Sequence, residues 1–143
     1  MLDHMKSLVL RKAHCVLATT DGQNPHSSLM AYIPGNNGTR LYLATLRETR
    51  KFQNIQHHSR VSLLIDTRDE NPPDQTQALT VTGTCSILHG PEEVRAIKAA
   101  FVQRHPHLKD FILKKKVAVL CVQFESFQLL KGPEGAHYEI LNE

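Results

Sequence analysis

The sequence predicts a mainly β protein: a small antiparallel β-barrel, closed or partly closed, with about six strands and a few helices. Six short apolar or alternating runs are typical of strands, and several of the segments between them are rich in glycine, proline and asparagine. Only one long helical pattern interrupts these runs, before the last strand. No repeat or change of composition divides the 143 residues, so residues 1–143 are predicted to form one domain.

The first part of the chain is predicted to form a short helix followed by an antiparallel meander. Leucine, methionine and valine recur at helical spacing, which predicts an amphipathic helix over residues 2–12. Strand-like runs follow at residues 15–20, 27–33 and 41–45. The segments DGQNP and PGNNG separate these runs, and both carry the residues that favour tight turns.

The middle of the chain contains the clearest half-buried strand. Residues 51–57 are predicted to form one or two helical turns, and RVSLLID, residues 60–66, a fourth strand. After a polar loop, ALTVTGTCSILHG, residues 78–90, alternates apolar residues with threonine and serine at the period of two that a strand requires. Gly83 occupies an inward position of this fifth strand, which predicts a bulge or bend there.

The last part of the chain combines the clearest helix with a long strand. GPEEVRAIKAAFVQRHP has proline at its first helical position, two glutamates in its first turn and another proline beyond its end. A second amphipathic turn follows around residues 108–112. Residues 116–132 are then predicted to form the sixth strand, bent near residues 125–126.

Composition excludes several classes of protein. The formal charge is +3, and the basic residues are scattered and not arranged as a stripe with interleaved aromatics, so no nucleic-acid partner is predicted. No apolar run is long enough to cross a membrane and the N-terminus does not resemble a signal peptide, so a cytoplasmic location is expected. Cys15, Cys85 and Cys121 each lie in an apolar strand, which predicts buried, reduced thiols.

A cationic segment, RETRK at residues 47–51, lies where a strand ends and a helix begins. Arg50 and Lys51 would fall in the first helical turn, where positive side chains oppose the helix dipole unless an anion neutralises them. Phosphate suits the position, because free backbone N–H groups, the two cations and the hydroxyls of Thr45 and Thr49 can all donate to it. A solvated basic surface with Thr49 as helix cap explains the local pattern equally well.

The order of these elements resembles the split-barrel flavin-binding family of the pyridoxamine 5'-phosphate oxidase type. The resemblance covers residues 13 to about 90 closely. It is carried by CVLATTDGQNPHSS, SSLMAYI, RLYLAT and, most specifically, ATLRETRKFQNI followed by SRVSLLID. It implies a six-stranded antiparallel split barrel, mainly β with a few helices.

The resemblance also implies FMN as cofactor, held in a cleft between the two subunits of a homodimer. The phosphate would be held by residues matching Thr45, Thr49, Arg50 and Lys51. The isoalloxazine ring would be lined by Ser27, Ser28 and Leu29, and the partner subunit's strand carrying Thr80 and Thr82 would close the site. The Asn54 side chain is interpreted as structural, joining the short helix to the next strand.

Departures from the family pattern limit the predicted function. The chain has no tryptophan and ends in KGPEGAHYEILNE, without the C-terminal Arg-x-His of pyridoxamine phosphate oxidases, so vitamin B6 synthesis is not expected. An FMN-dependent oxidoreductase acting on a small molecule is the main hypothesis, and no catalytic residue can be named. The alternative is a non-catalytic flavin-, haem- or F420-binding protein. The haem branch of this barrel uses a histidine near the C-terminus, and the tail contains only His137.

The nine histidines do not form a metal-binding pattern. His57 and His58 are adjacent, so on a helix they would point about 100° apart, and His105 and His107 lie on either side of a proline. None has the spacing of a metal-ligand pair, so no metal site is predicted, and the histidines are interpreted as surface residues.

Overall fold

Eight strands and four α-helices make up the part of the chain described by the computed structural model, residues 1–133 and 135–141. The strands are β1 (His14–Thr20), β2 (Pro25–Ala31), β3 (Ile33–Gly35), β4 (Arg40–Leu46), β5 (Arg60–Asp66), β6 (Gln77–Ile87), β7 (Val117–Lys131) and β8 (Ala136–Ile140). The helices are α1 (Leu2–Arg11), α2 (Arg50–His57), α3 (Pro91–Arg104) and α4 (Lys109–Ile112). The protein is therefore mainly β, as predicted.

All strand pairs are antiparallel and form one curled sheet in the order β2-β1-β5-β6-β7-β4-β3, with β8 added beside β7. β2 is the first strand of this order, so within the described residues only one of its edges is hydrogen-bonded to another strand, β1. The chain leaves β2 and enters β3 directly at the other end of the sheet. The barrel is therefore split, and its opening lies between β2 and β4.

The sequence predicted six strands, and the structure has eight. The predicted run 27–33 is divided at Tyr32, whose N–H donates to the Ala13 carbonyl at 3.0 Å and whose hydroxyl donates to the Val9 carbonyl at 2.7 Å. Tyr32 is fully buried and forms the corner between β2 and β3. The second additional strand, β8, pairs with the end of β7.

A β-bulge lies where the sequence predicted one. The β6–β7 register shifts between Thr82 and Gly83, so that Glu125 is an extra residue on β7. A side chain at position 83 would place its Cβ 2.5 Å from the Gln123 carbonyl oxygen. Glycine is required here because the neighbouring backbone approaches too closely for any side chain. The predicted bend near residues 125–126 is the same feature.

The main core fills the inside of the curled sheet. Leu17, Leu43, Leu63, Val81 and Phe127 are all almost fully buried there. The amphipathic faces of α1 and α2 contribute side chains to the same cluster. Burying such apolar surface stabilises the fold by about 25 cal/mol per Å².

A second, smaller core lies on the other side of β4. Phe101 of α3 and Ile112 of α4 pack there against Ala44, Ile33 and Val117. The two helices therefore cover the side of β4 that points away from the main core, and they lie beside the opening of the barrel. Within the described residues, no helix is both long and apolar enough to cross a membrane.

Candidate functional site

A groove of about 330 Å³ lies at the opening between β2 and β4. Its residues come from β2 (Leu29 to Ala31), β4 (Ala44 to Leu46), the start of α2 (Thr49 and Lys51) and the α3–α4 region (Phe101, Leu108, Phe111 and Ile112). One end is polar and cationic, while the walls are largely apolar. This combination suits a ligand with a flat apolar body and an anionic group at one end.

The hydroxyls of Thr45 and Thr49 meet at the polar end of the groove, with their Oγ1 atoms 3.1 Å apart. Thr49 is the N-cap of α2: its hydroxyl donates to the Leu46 carbonyl at 2.9 Å and accepts from the Phe52 N–H at 3.3 Å. Thr45 has a weaker alternative acceptor, the Leu46 carbonyl at 3.4 Å. The Thr45 hydroxyl could therefore donate a hydrogen bond to a phosphate oxygen at little cost.

Lys51 and Arg50 occupy different environments although they are neighbours in the sequence. Lys51 lines the groove and is half-buried, and burial lowers its pKa because the charged ammonium loses water. Among the described residues no carboxylate lies within 4 Å of Lys51 to compensate. Arg50 is exposed and is not part of the groove lining. The uncompensated lysine fits an anionic ligand.

Four of the predicted site residues share the outer face of the sheet. Cross-strand pairing aligns Leu29, Val16, Leu64, Thr80, Gln128 and Tyr138 in one row. The neighbouring row consists of Ser27, Ala18, Ser62, Thr82, Ser126 and Ile140. Directly paired residues project from the same side of a sheet, so Ser27, Leu29, Thr80 and Thr82 face the same way. We refer to these two rows as the outer face.

The predicted site residues do not all meet within one chain. β6 lies three strands from β2, about 14 Å at the usual strand spacing, so Thr80 and Thr82 are remote from the groove. Ser28 pairs with the buried Leu17 and therefore faces the inside of the barrel, opposite to its neighbours Ser27 and Leu29. Of the β2 residues predicted to line a ring, Leu29 borders the groove.

The interpretation of Asn54 as structural agrees with the structure, but the predicted partner strand is wrong. Asn54 is buried, and its side-chain N–H donates to the Thr19 hydroxyl at 3.1 Å. Thr19 belongs to β1, not to the strand that follows α2. The contact fixes α2, and with it Thr49 and Lys51, against the first strand.

The interpretation of all the histidines as surface residues is wrong for His105. This residue is only 3% exposed, and its Nε2 lies 2.8 Å from the Tyr32 carbonyl oxygen. Since a carbonyl can only accept, Nε2 carries the proton. Burial lowers the pKa of His105, and the nearby His14, Arg104 and His107 lower it further, although the Tyr32 contact opposes the shift. In the described part of the chain, no group of three or more potential ligands could hold a metal ion.

The three cysteines have free thiols, as predicted. Cys15 and Cys85 are buried, and burial raises the pKa of each to about 12. Cys121 is only partly buried, which differs from the prediction. A raised pKa keeps a thiol protonated and unreactive near neutral pH.

Sequence reasoning missed the apolar wall of the groove. Phe101, Leu108, Phe111 and Ile112 contribute to this wall from the α3–α4 region. Their amphipathic spacing predicted helical turns. It carried no signal of which surface those turns cover, because that depends on how the segment folds back over β4.

Comparison with known proteins agrees with this architecture. Residues 1–131 match the family model described as pyridoxamine 5'-phosphate oxidase. A haem-binding protein from Mycobacterium smegmatis is 18% identical with a TM-score of 0.80, over 96% of this chain and 57% of that one. This chain therefore spans a little over half of that protein. No curated protein matches the sequence.

Two further solved structures share the fold. HutZ, the haem storage protein from Vibrio cholerae, is 17% identical with a TM-score of 0.73, over 92% of this chain and 94% of that one. An FAD-binding protein from Mesorhizobium loti is 12% identical with a TM-score of 0.74, over 88% of this chain and 91% of that one. At these identities the similarity establishes the split-barrel fold and leaves the ligand open.

Proposed function

The chain belongs to the pyridoxamine 5'-phosphate oxidase family, and on this basis we propose that it binds FMN in the groove between β2 and β4. The observation that carries the proposal is the polar end of the groove. There two threonine hydroxyls and the half-buried Lys51 lie together beside the N-terminus of α2. The function proposed is that of a flavin-dependent oxidoreductase acting on a small molecule.

The residues of the groove fit a phosphate. Thr49 already caps the Phe52 N–H, and the Gln53 N–H donates to the Thr49 carbonyl. The N–H groups of Arg50 and Lys51, which come earlier in α2, have no carbonyl one turn before them within the helix. These two donors, the Thr45 hydroxyl and the Lys51 ammonium would bind phosphate oxygens, and the positive end of the helix dipole adds to the attraction.

The remaining groove residues would position and shield the ring. The unpaired edge of β2 offers backbone N–H groups, which can donate to electronegative ring atoms. Phe101, Phe111 and Ile112 form an apolar wall that excludes water. When bound, FMN itself would supply the redox chemistry, accepting a hydride and passing on electrons. Lys51 is the one titratable side chain of the described groove lining, and it is assigned to the phosphate, so the proposed role of the chain is binding and orientation.

A homodimer would complete the site. Thr80 and Thr82 lie on the outer face, which they share with Leu29 at the edge of the groove. A second copy packed on the outer face could bring its own β6 to that edge, although β6 of the same chain is too distant. The outer face exposes 75% of Leu29, 69% of Tyr138 and 77% of Ile140. Leu29 lies at one end of this face and Tyr138 and Ile140 at the other, so a partner that covers the whole face would bury all three, which favours an interface.

Haem binding is the second candidate. Two proteins of the same fold are described as haem-binding and haem storage proteins, and His137 is exposed on β8. The described lining of the groove includes no histidine. Within one chain, a haem ligated by His137 would therefore bind near β8, away from the groove.

The chromophore of the purified protein discriminates between these functions. We expect a yellow protein that shows the visible absorption of a flavin and that releases FMN when it is denatured. A Soret band without flavin absorption would contradict the FMN proposal and support haem. Anaerobic addition of NADH or NADPH then tests turnover. Bound flavin that neither nucleotide nor a reductase can reduce would remove the support for an oxidoreductase.

A further inference from the structure

A second pocket, of about 450 Å³, adjoins the polar end of the groove. It is lined by Leu46, Arg47, Glu48, Lys115 and Lys116, and we refer to it as the Arg47 pocket. It exists because β4 ends where β7 begins: Leu46 pairs with Val117, which brings the turn after β4 beside the lysines before β7. Leu46 lines both the Arg47 pocket and the groove.

The Arg47 pocket carries a net positive charge, with three cations and one carboxylate in its described lining. Lys98, on α3, donates from its ammonium to the Lys114 carbonyl at 3.0 Å, and so lies beside the lysine segment. Burial lowers the pKa of Lys98, and the charge of Arg47 lowers it further. Among the described residues, no carboxylate lies within 4 Å of Arg47, Lys98, Lys115 or Lys116. Glu48 is the one acidic residue of the lining.

Arg47 is held at the edge of this pocket. Its guanidinium carbon lies 5.8 Å from the centre of the Phe52 ring, within range of a cation–π interaction. Phe52 is a buried residue of α2, so the same helix orients both Arg47 and the Thr49–Lys51 end of the groove. A stacked guanidinium keeps its N–H donors free for a bidentate contact with phosphate.

We propose that the Arg47 pocket binds the phosphate groups of an adenine nucleotide, so that the complete site accepts a ligand larger than FMN. The inference rests on the proposed function, since it treats the pocket as an extension of a flavin site. Three lining cations against one carboxylate suit a diphosphate, and the shared Leu46 places the pocket next to the predicted FMN phosphate. The ADP moiety has this chemistry. It is present both in FAD and in a nicotinamide dinucleotide that reduces bound FMN.

Calorimetric titration of ADP, FMN and FAD into flavin-free protein at 0.15 M salt tests the proposal. The variant Lys115→Ala/Lys116→Ala removes two exposed cations from the lining. We expect it to weaken ADP and FAD binding by roughly tenfold or more, while FMN affinity changes by no more than about twofold. Lys6→Ala/Lys131→Ala, which removes the same charge from α1 and the far end of β7, should leave all three affinities unchanged.

The outcomes separate this inference from the proposed function. If FMN binds but ADP does not, or if both double variants weaken ADP binding equally, the Arg47 pocket is not a nucleotide site, while the FMN proposal stands. If ADP binds in the expected way but FMN does not, the proposed function fails and with it the link to a dinucleotide. Tighter binding of FAD than of FMN identifies FAD as the source of the ADP moiety. Binding of NADPH to FMN-loaded protein that weakens in Lys115→Ala/Lys116→Ala identifies the reductant.

Discussion

Lys51 is the residue of the proposed phosphate site whose environment suits an anion best. Its ammonium is half-buried without a described carboxylate partner, whereas Arg50 is exposed. We expect Lys51→Ala to weaken FMN binding by about 1.5–3 kcal/mol, roughly 10- to 150-fold in Kd, because a charge-assisted contact is lost. Arg50→Ala should cost less than about 1 kcal/mol, since exposed charge pairs contribute little.

Quenching of flavin fluorescence on titration gives both dissociation constants, and Arg50→Ala is the matched control because it removes one positive charge from the same helical turn. Equal losses of affinity in the two variants would mean that FMN binding depends on the overall positive charge and not on a direct contact with Lys51. No loss in Lys51→Ala would place the phosphate elsewhere.

His105 is expected to make stability depend on pH. Its pKa is lowered in the folded protein, so between that value and the unfolded value of about 6.5 the unfolded chain binds more protons. The stability present above pH 6.5 is therefore lost as the pH falls through the folded pKa. We expect the free energy of unfolding, from urea titrations, to decrease from pH 7.5 to 5.5.

The variant His105→Gln should reduce this pH dependence, because its amide can still donate to the Tyr32 carbonyl but does not titrate in this range. His137→Gln, in an exposed residue of β8, is the control and should keep the wild-type pH dependence. If His105→Gln keeps the wild-type pH dependence, other titratable groups cause the change of stability with pH.

The sequence predicted which residues lie near the polar end of the groove. It did not predict which way the side chains of Arg50 and Lys51 point. Thr45 and Thr49 were identifiable because they lie at the junction of a strand and a helix, where local pattern determines structure. The different roles of Arg50 and Lys51 depend on the rotation of α2 about its axis, which the buried contact between Asn54 and Thr19 helps to fix. That contact joins residues 35 positions apart, so no local pattern reveals it.

At the scale of elements, the β-bulge between β6 and β7 depends on glycine. A methyl group at Gly83 would meet the Gln123 carbonyl oxygen at 2.5 Å and Val122 Cγ1 at 3.1 Å. We expect Gly83→Ala to lower the free energy of unfolding by about 1–3 kcal/mol, as overpacking does, because the two strands must separate.

Urea denaturation measures this loss, and Gly90→Ala is the control. Gly90 has an ordinary φ of −64°, and a methyl group there would have its nearest neighbour at 3.8 Å. Gly90→Ala should therefore cost less than Gly83→Ala. If the two substitutions cost the same, the close approach of β6 and β7 does not restrict residue 83.

Six strands and the helices were predictable because each has a local signal, such as alternation, a cap or a proline boundary. The two additional strands have other causes. β3 is three residues long and separates from β2 only because buried Tyr32 forms a corner with Ala13 and Val9. β8 alternates Ala136, Tyr138 and Ile140 with polar residues, but it is only five residues long and mostly exposed, so its own sequence is a weak signal and its pairing with β7 stabilises it.

At the scale of the whole molecule, the outer face predicts a dimer. It exposes Leu29 at one end of a row that crosses six strands and Tyr138 at the other. We expect the wild type to sediment as a dimer. Leu29→Asp and Tyr138→Asp should each shift it toward monomer, because a buried unpaired carboxylate is costly at an interface. Leu113→Asp, at an exposed leucine after α4, should remain dimeric.

The flavin affinity of these variants then tests whether the two copies share the site. Leu29 borders the groove, so a loss of FMN binding in Leu29→Asp could come from the lost dimer or from direct damage to the groove. Tyr138 lies outside the groove lining, so Tyr138→Asp separates these two causes. If the partner subunit's Thr80 and Thr82 close the site, Tyr138→Asp must weaken FMN binding as the dimer dissociates, and its affinity must recover at high protein concentration. A monomeric Tyr138→Asp protein that binds FMN as tightly as the wild type would mean that one chain forms the complete site.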